Sequence, residues 1–206
     1  MMLVIVDYGV GNLGSMANML RKIGCPAKVS ADPEDVLAAD KLILPGVGAF
    51  DQGIESLHRH GLVDALRKQV MVRGTPLLGV CLGMQLLGCT SEEGSMTGLG
   101  FIDARTVRFP GRMGEVTLRV PHMGWNVVHP RKEDMIFLGL ESINRFYFVH
   151  SYHVECADPD NILGLTSYGK NFVSVLRHGN IWGVQFHPEK SHRFGMQLLK
   201  NFVEMN

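Results

Sequence analysis

The chain has 206 residues, enough for one domain with a sizeable core. Its 20 basic and 20 acidic residues cancel and its nine histidines are scattered, so no charge footprint argues for nucleic acid or an anionic membrane. No apolar run approaches the roughly 18 residues of a membrane span, and the start does not look like a signal peptide. The four cysteines (Cys25, Cys81, Cys89, Cys156) lack metal-ligand or redox spacing, so the expectation is a cytoplasmic chain with reduced thiols, no metal and no cofactor.

Leu3 to Val6 is a short apolar run of the kind that forms a buried strand. A glycine-rich turn leads into helical spacing over Ser15 to Ile23, closed by Gly24. Lys41 to Leu44 is the next buried strand, ending in the loop Pro45-Gly46-Val47-Gly48, and residues 50–72 have helical character interrupted near Gly61. Pro76 to Val80 is another apolar strand, and Leu82 to Leu87 begins a helix. This alternation predicts a parallel sheet with helices on both faces.

Near residue 100 the rhythm changes. Thr106 to Phe109, Val116 to Val120, Trp125 to Val128, Phe146 to His150, Ile162 to Ser167, Phe172 to Leu176 and Ile181 to Phe186 are short strand candidates, followed by a helix from about His192 to Glu204. The expected fold is one α/β domain over residues 1–206: a mixed, mainly parallel sheet flanked by helices, with a strand-rich antiparallel second half.

Gly79-Val80-Cys81-Leu82-Gly83-Met84-Gln85 puts a cysteine where a buried strand turns into a helix, with glycines two residues away on either side. A nucleophile elbow needs that arrangement, because neighbours with a Cβ would clash in so sharp a turn. The helix N-terminus would favour a thiolate there. The competing reading is a buried cysteine packing as a small hydrophobe.

Trp182 to Glu189 places His187 beyond the end of an apolar strand, where catalytic groups of α/β sheets gather. Pro188 stops regular pairing, and Glu189 can fold back to orient the imidazole as the third member of a triad. The alternative is a strand-end histidine beside an ordinary charged turn. An oxyanion site needs backbone donors, and the N–H groups of Val47, in its glycine loop, and of Leu82 are the candidates.

Together, G-x-C-x-G-x-Q over Gly79 to Gln85 and the distant His187-Pro188-Glu189 resemble the signatures of the class I glutamine amidotransferases. The resemblance covers essentially the whole chain and implies a flavodoxin-like fold, a Cys81–His187–Glu189 triad and glutamine as substrate. Finer features resemble the glutaminase subunits of imidazole glycerol phosphate synthases: Asp7 to Asn12, Pro45 to Phe50, His122 to Asn126, Tyr147 to Tyr152 and Phe186 to Ser191. That resemblance implies glutamine binding by Gly48, Gln85, Glu93, His150, Ser151 and Tyr152. It also implies a (β/α)8-barrel cyclase subunit as heterodimer partner, docked around Asn12, Trp125, Tyr147 and Lys190. Glu93 has a competing reading as a solvated turn residue beside Glu92, His150 as a satisfied core histidine, and Trp125 as a core tryptophan.

Rivals remain at this stage. Gly9-Val10-Gly11-Asn12-Leu13-Gly14 matches the dinucleotide-binding G-x-G-x-x-G, with Asp32 or Glu34 roughly 20 residues on. It leaves the elbow and the His-Pro-Glu segment unexplained. The others are a glutaminase of the pyridoxal phosphate, anthranilate or carbamoyl phosphate pathway, and a catalytically silent protein of the same fold.

Overall fold

The structure is a computed structural model that describes residues 1–114, 116–140 and 144–205. In the first half, strands β1 (Leu3–Val6), β2 (Lys28–Ser30), β3 (Lys41–Gly46) and β4 (Leu77–Cys81) alternate with helices α1 (Leu13–Lys22), α2 (Pro33–Ala38), α3 (Phe50–Arg59), α4 (Leu62–Leu66) and α5 (Leu82–Leu86). The second half carries β5 (Thr90–Ser91), β6 (Ala104–Arg108), β7 (Arg112–Met113), β8 (Val116–Thr117), β9 (His122–Pro130), β10 (Asn144–His150) and β11 (Tyr152–Cys156). It closes with β12 (Ile162–Tyr168), β13 (Lys170–His178), β14 (Ile181–Val184) and α6 (His192–Glu204).

Nine strands run in the order β10-β9-β12-β13-β14-β4-β3-β1-β2, with β11, β6 and β5 branching from β13. Pairing is parallel from β2 to β14 and antiparallel from β14 to β10. Parallel strands covered on both faces are apolar at every position. In β1, Leu3 and Ile5 join Met16 of α1 and Leu198 and Phe202 of α6 in one core, whereas Val4 and Val6 join Val36, Ile54, Leu57 and Leu86 in the other. Among the described residues, no helix is long and apolar enough to cross a membrane.

The expected α/β architecture is present, with differences that have local causes. Pro45 and Gly46 extend β3 rather than opening a loop, because Gly46 is in register with Cys81 of β4. Of Val116 to Val120 only Val116–Thr117 is strand. The Leu118 N–H donates to the Gly111 carbonyl at 3.0 Å, closing the hairpin, and Pro121 follows. Helix α2 is too short to show a periodicity; it is started by Asp32, whose side chain accepts from the Glu34 N–H at 2.9 Å. Asp32, one of the two acids in the dinucleotide reading, is thereby engaged as a cap.

The register sets the height of everything beyond the strand ends. Gly46 lies beside Cys81, and Val184 beside Val80. Residues that follow β3, β4 and β14 therefore emerge together at one edge.

The glycines of the elbow have a steric reason. A Cβ on Gly83 would overlap the carbonyl oxygen of Leu44, and one on Gly79 would lie 2.9 Å from the Gly83 carbonyl oxygen. Gly83→Ala forces α5 off β3, and overpacking against backbone cannot be relieved by a rotamer change. It is expected to lower stability by about 3 kcal/mol, read as a lower urea midpoint; an unchanged midpoint would refute the close approach.

Candidate active site

Cys81 ends β4 and caps α5 with φ 54° and ψ −110°. This is the left-handed region, where a residue with a Cβ is strained. The elbow expected from the glycine spacing is therefore present. Cys81, Leu82 and Gln85 line a cleft of about 410 Å³ together with Val47, Gly48, Glu93, Pro121, Val149, His150, Ser151, Tyr152 and His187. Every residue assigned to the triad, oxyanion site or glutamine site is among them except Glu189, which stands behind the imidazole. A larger concavity along Arg131 to Leu138 includes none of them.

His187 follows β14 by three residues, and both its N–H and its carbonyl are engaged. Its N–H donates to the Tyr147 carbonyl at 2.9 Å, and its carbonyl accepts from the Ser191 hydroxyl at 2.6 Å. The same hydroxyl oxygen accepts from the Tyr147 N–H at 3.0 Å. Glu189 Oε1 holds His187 Nδ1 at 2.8 Å, with both side chains almost wholly buried. Among the described residues the buried Nε2 has no hydrogen-bond partner, and it lies in the cleft that Cys81 also lines. Burial alone would strip the imidazole of its proton. Hydrogen bonding and charge from Cys81, then from Glu189, outweigh burial and push the His187 pKa up to about 10. His187 is thus held as an imidazolium in the cleft it shares with Cys81.

The loop bearing Val47 and Gly48 is anchored by Tyr8, whose hydroxyl donates to the Pro45 carbonyl at 2.7 Å. Gly48 has φ +110°, a conformation its lack of a side chain permits. Tyr8 immediately precedes the Gly9 to Gly14 segment that suggested dinucleotide binding, and its ring is buried.

Glu93 faces the cleft from a loop pinned by Asp51, which accepts from the Ser95 and Met96 N–H groups at 2.9 and 3.0 Å. Its Oε2 accepts from the Phe50 N–H at 2.9 Å, so it is a placed carboxylate rather than a solvated turn residue. Burial raises its pKa above the usual carboxylate range, opposed by that N–H.

His150 lines the cleft, but both its ring nitrogens are engaged internally. Nδ1 meets the Tyr152 carbonyl at 2.7 Å and Nε2 meets His122 Nδ1 at 3.0 Å. Of the two readings open from sequence, its polar atoms follow that of a satisfied core histidine.

The four residues expected at a docking face divide similarly. Trp125 is 39% exposed, meets Tyr147 edge-on at 6.1 Å and stacks on His192 at 5.5 Å. Lys190 Nζ lies 5.8 Å from the Tyr147 ring centroid. These form one outward patch, which removes the core-tryptophan reading. Asn12 caps α1, accepting from the Ser15 N–H at 3.4 Å, and α1 packs against the Pro188–Lys190 turn. Sequence reasoning missed Tyr8, Asp51 and Ser191 as positioning groups, because nothing in local spacing announces a hydrogen bond across distant segments.

Residues 4–205 match the family model for class I glutamine amidotransferases. A protein named imidazole glycerol phosphate synthase subunit HisH 2, from Pseudomonas aeruginosa, is 54% identical over 204 residues, 99% of this chain and 100% of its own. One of the same name from Methanococcus maripaludis is 52% identical over 203 residues, covering 98% and 99%. Among solved structures, a glutamine amidotransferase superposes over 99% of this chain and 98% of its own with a TM-score of 0.76. At 20% identity that likeness speaks for the fold alone.

The opposing influences on His187 can be separated by NMR. In the unmodified protein the imidazole is expected to stay protonated through neutral pH and to titrate near pH 10. In Cys81→Ala the sulfur's contribution is gone while burial persists, so the titration must move to lower pH. An unchanged titration would show that Cys81 does not hold the proton on His187.

Proposed function

The chain belongs to the class I glutamine amidotransferases, and on that premise we propose that it is the glutaminase subunit of an imidazole glycerol phosphate synthase, in histidine biosynthesis. It hydrolyses the side-chain amide of glutamine and passes ammonia to a (β/α)8-barrel cyclase subunit. The observation that carries the chemistry is the strained Cys81 at the edge where His187 is held by Glu189 at 2.8 Å.

The thiolate sulfur of Cys81 attacks glutamine Cδ, and the carbonyl π electrons move to oxygen. The N–H groups of Val47 and Leu82 are the donors that stabilise this oxyanion. As it collapses the C–N bond breaks, and the His187 imidazolium gives its proton to the departing nitrogen, releasing ammonia and leaving a thioester. His187, now neutral, takes a proton from water, and the hydroxide attacks the thioester. The C–S bond breaks, and glutamate leaves with the thiolate restored.

Glu93 offers the acceptor that the substrate ammonium needs in a cleft also lined by Gly48, Ser151 and Tyr152. A substrate ammonium there offsets the burial that raises the Glu93 pKa. Gln85 supplies a neutral polar contact. His150 contributes its ring face and keeps the Tyr152 carbonyl in place.

Ammonia released into neutral water becomes ammonium and loses its nucleophilicity, so the product must move directly to the second reaction. The patch of Trp125, Tyr147 and Lys190, extended towards Asn12, suits a docking surface: an exposed aromatic anchor with a cation beside it. Full-length relatives named for this synthase favour it over the pyridoxal phosphate, anthranilate and carbamoyl phosphate pathways.

Glutamate release measured with and without the barrel subunit and its ligand tests the whole reading. The complex is expected to turn over faster than the isolated chain, and Cys81→Ala to fall to background in both. Near-normal turnover by Cys81→Ala would refute the nucleophile; equal rates alone and in complex would refute the coupling.

A further inference from the structure

Gln185 stands between β14 and His187, fully buried, and the mechanism above gives it no part. Its side chain joins two groups that the mechanism does use. Oε1 accepts from Gln85 Nε2 at 3.1 Å, and Nε2 donates to Cys81 Sγ at 3.8 Å. Gln85 Nε2 also donates to the main-chain carbonyl of Tyr152 at 3.2 Å.

That carbonyl fixes the polarity of the whole chain of hydrogen bonds. A carbonyl can only accept, so Gln85 must turn its NH2 group towards it. The second N–H of Gln85 then needs an acceptor, which is Gln185 Oε1. Gln185 is left with its own NH2 facing sulfur. Flipping either amide would set oxygen against oxygen at the Tyr152 carbonyl or donor against donor between the two glutamines. The far side agrees: the His150 ring donates to the same carbonyl and accepts from His122 Nδ1, whose other nitrogen accepts from Asn126 Nδ2 at 3.1 Å. Burial keeps both histidines neutral, at pKa values of about 3 and 4, so each has one donor and one acceptor as this order requires.

We propose that Gln185 is a positioning residue for the hydrolysis: its amide N–H keeps Cys81 Sγ a hydrogen-bond acceptor, and its Oε1 holds Gln85 with the carbonyl oxygen turned to the substrate. A thiolate is the better acceptor, so a buried donor beside it favours the reactive form. Because both Gln85 N–H groups are engaged internally, what Gln85 offers glutamine is an acceptor, matched to a substrate N–H. The inference rests on the glutaminase reading for its catalytic meaning, though not for its effect on the thiol.

Two variants separate the two duties. Gln185→Glu keeps the acceptor for Gln85 but sets a negative charge against the sulfur. Gln185→Met removes both groups at similar volume. Cys81 alkylation by iodoacetamide, measured across pH, reads the thiolate without requiring turnover. Both variants are expected to alkylate about ten- to a hundredfold more slowly than the unmodified protein at neutral pH, the scale of a lost hydrogen bond to a charged group. For Gln185→Glu the rate relative to the unmodified protein should recover as pH falls, because the protonated carboxyl donates again; for Gln185→Met it should not. In the complex, kcat should fall in both, whereas KM for glutamine should rise only in Gln185→Met.

Circular dichroism checks the fold, and the near-isosteric Gln185→Glu keeps the test decisive should Gln185→Met misfold. Folded variants that alkylate like the unmodified protein at every pH overturn the proposal. An unmodified protein that alkylates yet releases no glutamate would instead sink the glutaminase reading, while the alkylation comparison would still decide the role of Gln185.

Discussion

A residue with a side chain at φ 54° and ψ −110° costs on the order of 1–3 kcal/mol, and at Cys81 the surrounding sheet holds it there. Regular pleating would send Val80 and Cys81 to opposite faces. Instead both lie in the same core, because the chain reverses at Cys81 directly into α5. That reversal needs α5 pressed onto β3, which the missing side chain of Gly83 allows against the Leu44 carbonyl. The parallel register of β3, β4 and β14 then delivers Val47 and His187 to the height of the raised sulfur. Displacing any of the three strands by one residue would turn its side chains to the other face and dissolve the site.

The electrostatics follow from placing that turn inside a packed, aromatic interior. His122, His150 and His153 cluster around Phe109 and Phe172, and burial holds all three far below the usual imidazole range. His187 is buried as well, yet its pKa moves the other way. The difference lies in the partners. Carbonyls, ring nitrogens and amides partner the first three, and the charges of Glu155 and Glu92 on His153 do not offset its desolvation, whereas His187 has a carboxylate on one side and Cys81 on the other. One buried interior therefore keeps three imidazoles neutral and that of His187 charged.

Strand ends and turn residues made the centre legible in the sequence. Gly79 and Gly83 around Cys81, and Pro188 after His187, are local punctuation whose steric meaning survives in a linear string. The apolar runs of β1, β3, β4 and β14 were legible for the same reason, being buried on both faces. What stayed hidden was set by contacts between distant segments. Gln185 and Cys81 lie 104 positions apart, and Tyr8 and the Pro45 carbonyl 37, and no periodicity encodes either bond. His150 shows the limit from the other direction: its place beside the cleft was legible from its motif, but the engagement of both ring nitrogens depends on His122, 28 residues earlier. Helix α2 and strand β11 were missed because six and five residues give too little pattern to separate them from loops.

Tyr147 joins the outer surface to His187, the proposed catalytic base, within one residue. Its ring lies between Trp125 and Lys190 on the exposed patch, while its N–H and carbonyl are bonded to Ser191 and His187. The Ser191 hydroxyl closes this triangle by donating back to the His187 carbonyl. The backbone of the imidazole-bearing turn is therefore tied to the strand that displays the aromatic anchor, not only to β14, from which it emerges. A site built on β14 alone would have its base on a free strand end, where small rotations would move the imidazole off the sulfur. Tying it to β10 removes that freedom, and makes the geometry of the base inseparable from the strand that faces outward.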